Sequence, residues 1–116
     1  MSEPGKLDLS ENDLRIVLQI LEQWVPGRPV YVFGSRANGK ARRRSDLDLA
    51  IGGVPPLTLH QRAMLTNDFD ESDLPIEVDV VDLATVSADF HQRIQHHWIA
   101  LTSGSQPAPD SNEVAA

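Results

Sequence analysis

A short β-rich run, Val30-Tyr31-Val32-Phe33, meets Gly34-Ser35 with nothing between them. A second run, Asp46-Leu47-Asp48-Leu49-Ala50-Ile51, follows after a basic loop. The apolar first run predicts a buried strand over 30–33. Gly34 permits a sharp turn and the close approach of another backbone or a phosphate. Ser35, Arg36 and Asn38 all carry donors suited to phosphate oxygens. In the second strand, alternation puts Asp46 and Asp48 on one face and Leu47, Leu49 and Ile51 on the other. Side chains two apart on a strand stand roughly 6.5–7 Å apart at the backbone. Carboxylates at that spacing can converge on Mg²⁺ ions held about 3.5–4 Å from each other.

The flanking sequence supplies the rest of a small α/β domain. Ser10 is a good N-cap, with Asp13 in the place of a capping-box acid. Leu14, Val17, Leu18, Leu21, Trp24 and Val25 recur at helical spacing, which predicts an amphipathic helix over about 11–24 that Pro26-Gly27 ends. A short helical turn is expected from Ser35 to Asn38, with Gly39 as its stop. Lys40 to Ser45 reads as a polar loop. Its Arg42, Arg43 and Arg44 are either simply solvated or available to a triphosphate or a partner, since Arg matches phosphate geometry. Gly52-Gly53 and Pro55-Pro56 end the second strand, and a helix is expected from about Leu57 to Phe69, with Leu57, Leu59, Met64 and Leu65 available for packing. Asp68, Asp70, Glu71 and Asp73 form an acidic patch that reads as a solvated helix end.

After Pro75, Ile76-Glu77-Val78-Asp79-Val80-Val81 alternates as a third strand, with Glu77 and Asp79 on one face. Asp79 is the candidate third carboxylate and Glu77 the second choice, while Asp82 faces the other way and is expected to cap the next turn. A last helix is expected over about 87–97, with Phe90, Ile94 and Trp98 inward. Trp98 to Leu101 then extends along the sheet or packs on it. His60, His91, His96 and His97 lack metal-site spacing. Residues 1–101 are expected to form one domain, and the Ser-, Pro- and Ala-rich stretch 102–116 a disordered tail.

A chain of 116 residues has room for one small core. Its net charge of −7 argues against general nucleic-acid binding and suits a basic protein partner. The absence of Cys excludes disulfides and thiolate metal sites. Met1 to Trp24 has no uninterrupted apolar core of a signal peptide, and no run approaches the roughly 20 apolar residues of a membrane span, so a cytoplasmic protein is expected.

Gly34-Ser35, the ten residues Arg36 to Ser45, and Asp46-Leu47-Asp48 resemble the motif of the DNA polymerase beta-type nucleotidyltransferase superfamily, in its stand-alone form, the minimal nucleotidyltransferases. Asp79 stands where that family carries its third aspartate. The likeness spans the chain from the first helix to about Leu101. It implies a small mixed β-sheet with helices packed mainly on one face. It further implies two Mg²⁺ ions on Asp46, Asp48 and Asp79, and a nucleotide held by Gly34, Ser35 and Arg36. Proteins of this family usually act as antitoxins, transferring AMP from ATP to a tyrosine of a partner HEPN-domain toxin, an RNase. Two other readings stand beside that one. The chain could neutralise its partner by stoichiometric binding alone, or modify a small molecule as antibiotic nucleotidyltransferases do. The small-molecule reading is weakened because such enzymes usually carry a further helical domain for the acceptor.

Overall fold

The first helix of the computed structural model, α1, spans Glu11–Trp24, and the Ser10 hydroxyl accepts the amide of Asp13 at 3.1 Å, as the sequence predicts. The structure describes residues 7–43 and 45–102. Val17 and Leu21 are the buried positions of α1, one turn apart on the face that the apolar spacing marks out. Strand β1 follows over Val30–Phe33, then the single turn α2 over Ser35–Asn38, which Gly39 closes at φ 83. Strand β2 covers Leu47–Ile51 and helix α3 covers Leu59–Glu71. Strand β3 runs over Val78–Asp82, helix α4 over Ala88–Gln95, and strand β4 over Ile99–Thr102.

The four strands form one mixed sheet in the order β3-β2-β1-β4. The β1–β2 and β1–β4 pairs are antiparallel, and β2–β3 is parallel. Parallel neighbours need a crossover, and α3 provides it. Val30, Val32, Leu47, Leu49 and Ile51 turn one sheet face onto Val17, Leu21 and Val25 of the α1 segment and onto Leu65 and Phe69 of α3. Each fully buried Leu or Ile there contributes about 1.5–3 kcal/mol of hydrophobic stabilisation. Alternation along the strands then sends Tyr31, Phe33, Asp48 and Asp79 to the opposite face.

That second face is partly covered. The rings of Phe33 and Phe90 meet edge to face at 5.8 Å, and Tyr31 and Trp98 stack at 3.9 Å. Thus α1 and α3 pack on one face, while α4 and the turn after it lie along the face that carries the aspartates.

Several boundaries differ from expectation. Helix α3 starts later, because Thr58 forms a full capping box with Gln61 and so sets the first turn. Leu57 still enters the core, but Leu59, expected to pack, is 78% exposed. Strand β3 starts two residues later than read and ends one later, because its pairing with β2 opens where Leu47 N–H donates to the Glu77 carbonyl and ends at Ile51 opposite Asp82. Helix α4 is shorter than 87–97, with Ser87 as its N-cap. Of Trp98 to Leu101, all but Trp98 enters β4 on the sheet edge, which runs through Thr102, one residue into the segment expected as tail. Residues 103–116, and with them the rest of that tail, lie outside the described residues. No helix among the described residues is long and apolar enough to cross a membrane.

Candidate active site

Gly34 follows directly on β1, and its backbone is at φ 78, ψ −154, a conformation that only glycine adopts without strain. A Cβ placed on Gly34 would collide with Oδ2 of Asp48. The Asp48 carboxylate therefore lies flat against the Gly34 backbone. Both the positive φ and this close approach demand glycine here. Asp48 stands opposite Phe33 on one side and opposite Asp79 of the parallel strand β3 on the other. Asp46 lies just ahead of β2, held in line by the Leu47–Glu77 backbone bond.

The neighbouring carboxylates act on Asp48. Partial burial first, then the negative charges of Asp79 and Asp46, together raise its carboxyl from 3.8 to about 6. Among the described residues, no lysine or arginine is paired with any of the three. Asp48 is half-buried while Asp46 and Asp79 are exposed, and together they offer uncompensated hard oxygen donors of the kind that suit a divalent cation such as Mg²⁺. Among the described residues, no group of three or more His, Cys, Asp or Glu side chains is arranged, as it stands, to hold a metal ion. Ser35 opens α2 beside this cluster, and its hydroxyl has no partner among the described residues.

Arg36 is placed differently from the phosphate contact expected of it. It is only 7% exposed, and its guanidinium donates to the carbonyls of Asp8, Arg42, Arg43 and Ser45 at 3.0–3.4 Å. The side chain thus ties the chain ahead of α1 to the basic loop. Arg42 and Arg43 remain exposed on that loop, and Arg44 lies outside the described residues. In the acidic patch, Asp68 accepts the indole N–H of Trp24 at 2.6 Å and fastens α3 to α1. Asp82 is 1% exposed and caps its turn through Ala84 N–H, as expected, while its other oxygen accepts Leu57 N–H and fixes the lead-in to α3.

One residue at the site carries no sequence signal. Nε2 of His97, in the turn between α4 and β4, accepts the Gly34 N–H at 3.1 Å. The two are 63 positions apart, and histidine spacing reveals nothing of the contact.

The chain is similar to proteins of known family. Residues 10–106 match the polymerase beta nucleotidyltransferase family model. The chain is 45% identical over 101 residues to the probable protein adenylyltransferase MntA of Haemophilus influenzae, covering 87% of this chain and 89% of that protein. A crystal structure of a toxin–antitoxin with AMP-PNP superposes with a TM-score of 0.68 at 25% identity, over 88% of this chain and 79% of the other. The MNT antitoxin in complex with the tri-AMPylated HEPN toxin of Shewanella oneidensis shares the fold, with a TM-score of 0.61 at 22% identity over 87% of this chain and 75% of that one. With the family match spanning both the Gly34-Ser35 turn and the three aspartates, the chain belongs to the polymerase beta-type nucleotidyltransferases.

Proposed function

We propose that this chain is an antitoxin that transfers AMP from ATP to a tyrosine of a HEPN-domain RNase partner in the cytoplasm. The observation that carries the reading is the Asp48 carboxylate, packed against the Gly34 turn and facing Asp79 across the β2–β3 pair. The likeness to a protein adenylyltransferase at 45% identity supports the choice of reaction. The likeness to a toxin–antitoxin bound to AMP-PNP, an ATP analogue, supports the choice of nucleotide and partner.

In this reading Asp46, Asp48 and Asp79 would hold two Mg²⁺ ions, which would supply charge neutralisation for the triphosphate and ease deprotonation of the attacking hydroxyl. Ser35 donates to the phosphates through its hydroxyl. Asp79, on the outer strand of the pair, receives the phenolic proton as the tyrosine oxygen attacks the α-phosphorus. The new O–P bond forms as the bond to the β-phosphate bridging oxygen breaks, and pyrophosphate leaves in line. Arg36 acts at one remove, by holding the basic loop against the chain ahead of α1.

The test is to purify the chain with the product of its genomic neighbour, add labelled ATP and Mg²⁺, and map the label on the partner by mass spectrometry. AMP on a partner tyrosine is the expected result. Neutralisation of the partner without any adduct would replace this reading with stoichiometric binding.

A further inference from the structure

The Gly34 amide already has an acceptor. Nε2 of His97 takes it at 3.1 Å, so the neutral ring carries its proton on Nδ1. The same glycine packs its Cα against Asp48 Oδ2 and turns its carbonyl to Ala37 N–H and Asn38 N–H. With these contacts both sides of the residue are committed. The segment that brings His97 is itself docked on the aspartate face, through Phe90 against Phe33 and Trp98 against Tyr31. His97 follows the end of α4, where Ile94 O accepts the amides of both His97 and Trp98 and fixes the turn. Three independent contacts therefore aim the imidazole at one amide of the Gly34-Ser35 turn.

We infer that His97 is a positioning residue of the nucleotide site: it holds the Gly34 amide, so that the turn presents Ser35, not Gly34, as its phosphate donor. This rests on the nucleotidyltransferase reading above and adds a residue to it. The glycine's contribution to the triphosphate is then its shape, which lets Asp48 lie against the backbone. Without the imidazole the Phe33–Gly34 peptide is free to rotate, and the Ser35 donors lose their register with the triphosphate.

The test uses the full chain with its partner and three variants. His97→Ala removes the acceptor. His97→Gln restores one, since an amide oxygen stands at about the reach of Nε2. His97→Lys offers only donors. Loss of one such hydrogen bond predicts a rise of about 3–10-fold in the KM for ATP in the Ala and Lys variants, with kcat changed less than about twofold. The Gln variant should recover most of the affinity at an unchanged melting temperature. A second readout needs no turnover. In ¹⁵N-labelled wild type, the Gly34 amide should keep its proton shift when AMP-PNP binds, while the Ser35 amide moves. An unchanged KM in a folded His97→Ala chain overturns the proposal. So does a Gly34 amide that leaves the imidazole for the nucleotide. If the wild type binds no nucleotide at all, the nucleotidyltransferase reading has failed and His97 with it. A wild type that transfers AMP beside an indifferent His97→Ala sinks His97 alone.

Discussion

Replacing Asp48 by Asn should make the protein more stable and inactive at once. The Asp48 carboxyl sits at about 6 against an ordinary 3.8, chiefly through burial and then through Asp79 and Asp46. The folded chain therefore holds that proton more tightly than the unfolded chain does. Between about pH 4 and pH 6 the folded state binds more protons, so stability falls as pH rises through that window, and the full cost is present above it. At about 1.4 kcal/mol per pH unit the cost approaches 3 kcal/mol. The site is half open to water, which screens the carboxylates from one another and reduces the figure to about 1–2 kcal/mol. Asn keeps the shape of Asp and carries no charge, so Asp48→Asn should gain that amount at pH 8, or about 5–10 °C in melting temperature for a domain of this size. The gain should vanish near pH 4, where both side chains are neutral. Urea unfolding at pH 4, 6 and 8 measures it. Adding Mg²⁺ should raise the melting temperature of the wild type and leave that of the variant unmoved. A variant no more stable than wild type at pH 8, or a gain independent of pH, would refute the argument that the carboxylates are crowded without compensation.

Further expectations concern the same turn and loop. Ser35→Ala should raise the KM for ATP about tenfold or more, since a hydrogen bond to a charged acceptor is worth about 1.5–3 kcal/mol, while kcat falls far less than in an aspartate variant; an unchanged dependence on ATP concentration removes Ser35 from the site. Transfer at limiting Mg²⁺ should fall as pH drops through about 6, because a protonated Asp48 holds no metal, and saturating Mg²⁺ should move that fall to lower pH. Arg36→Ala should destabilise the fold by about 2–4 kcal/mol in urea unfolding, because it orphans carbonyls around a buried guanidinium; a rise in the KM for ATP with no loss of stability would instead make Arg36 a phosphate ligand.

Much of the architecture was legible because the core strands carry local patterns. Val30–Phe33 meets its predicted bounds, and the second strand, Leu47–Ile51, buries Leu47, Leu49 and Ile51 as read, though Ala50 on the other face is buried as well. Helix α1 was legible from its apolar spacing and the Ser10 cap. Elements whose limits are set by partners were read less well. The start of α3 depends on a Thr58–Gln61 exchange that outweighs the apolar Leu57 and Leu59 beside it. The start of β3 depends on where a parallel neighbour takes up pairing, which no local alternation encodes. The site divides in the same way. Gly34, Asp48 and Asp79 belong to strand ends whose faces follow from a period of two, so their meeting could be foreseen. Arg36 could not be placed, because its position on α2 does not say whether a long side chain turns outward or folds under the loop. His97 reaches Gly34 only through the docking of α4 by Phe90 and Trp98, a tertiary contact with no sequence period.

The central claim is that the aspartate cluster performs adenylyl transfer and does not merely decorate a binding surface. The direct measurement incubates the partner with labelled ATP and Mg²⁺ and either wild type or Asp48→Asn, and reads both the label on the partner and the complex formed. The account predicts stoichiometric labelling by the wild type. For Asp48→Asn it predicts loss of labelling by at least a hundredfold, about 2.7 kcal/mol in activation free energy, with binding of the partner retained. An Asp48→Asn chain that labels the partner at near the wild-type rate would contradict it.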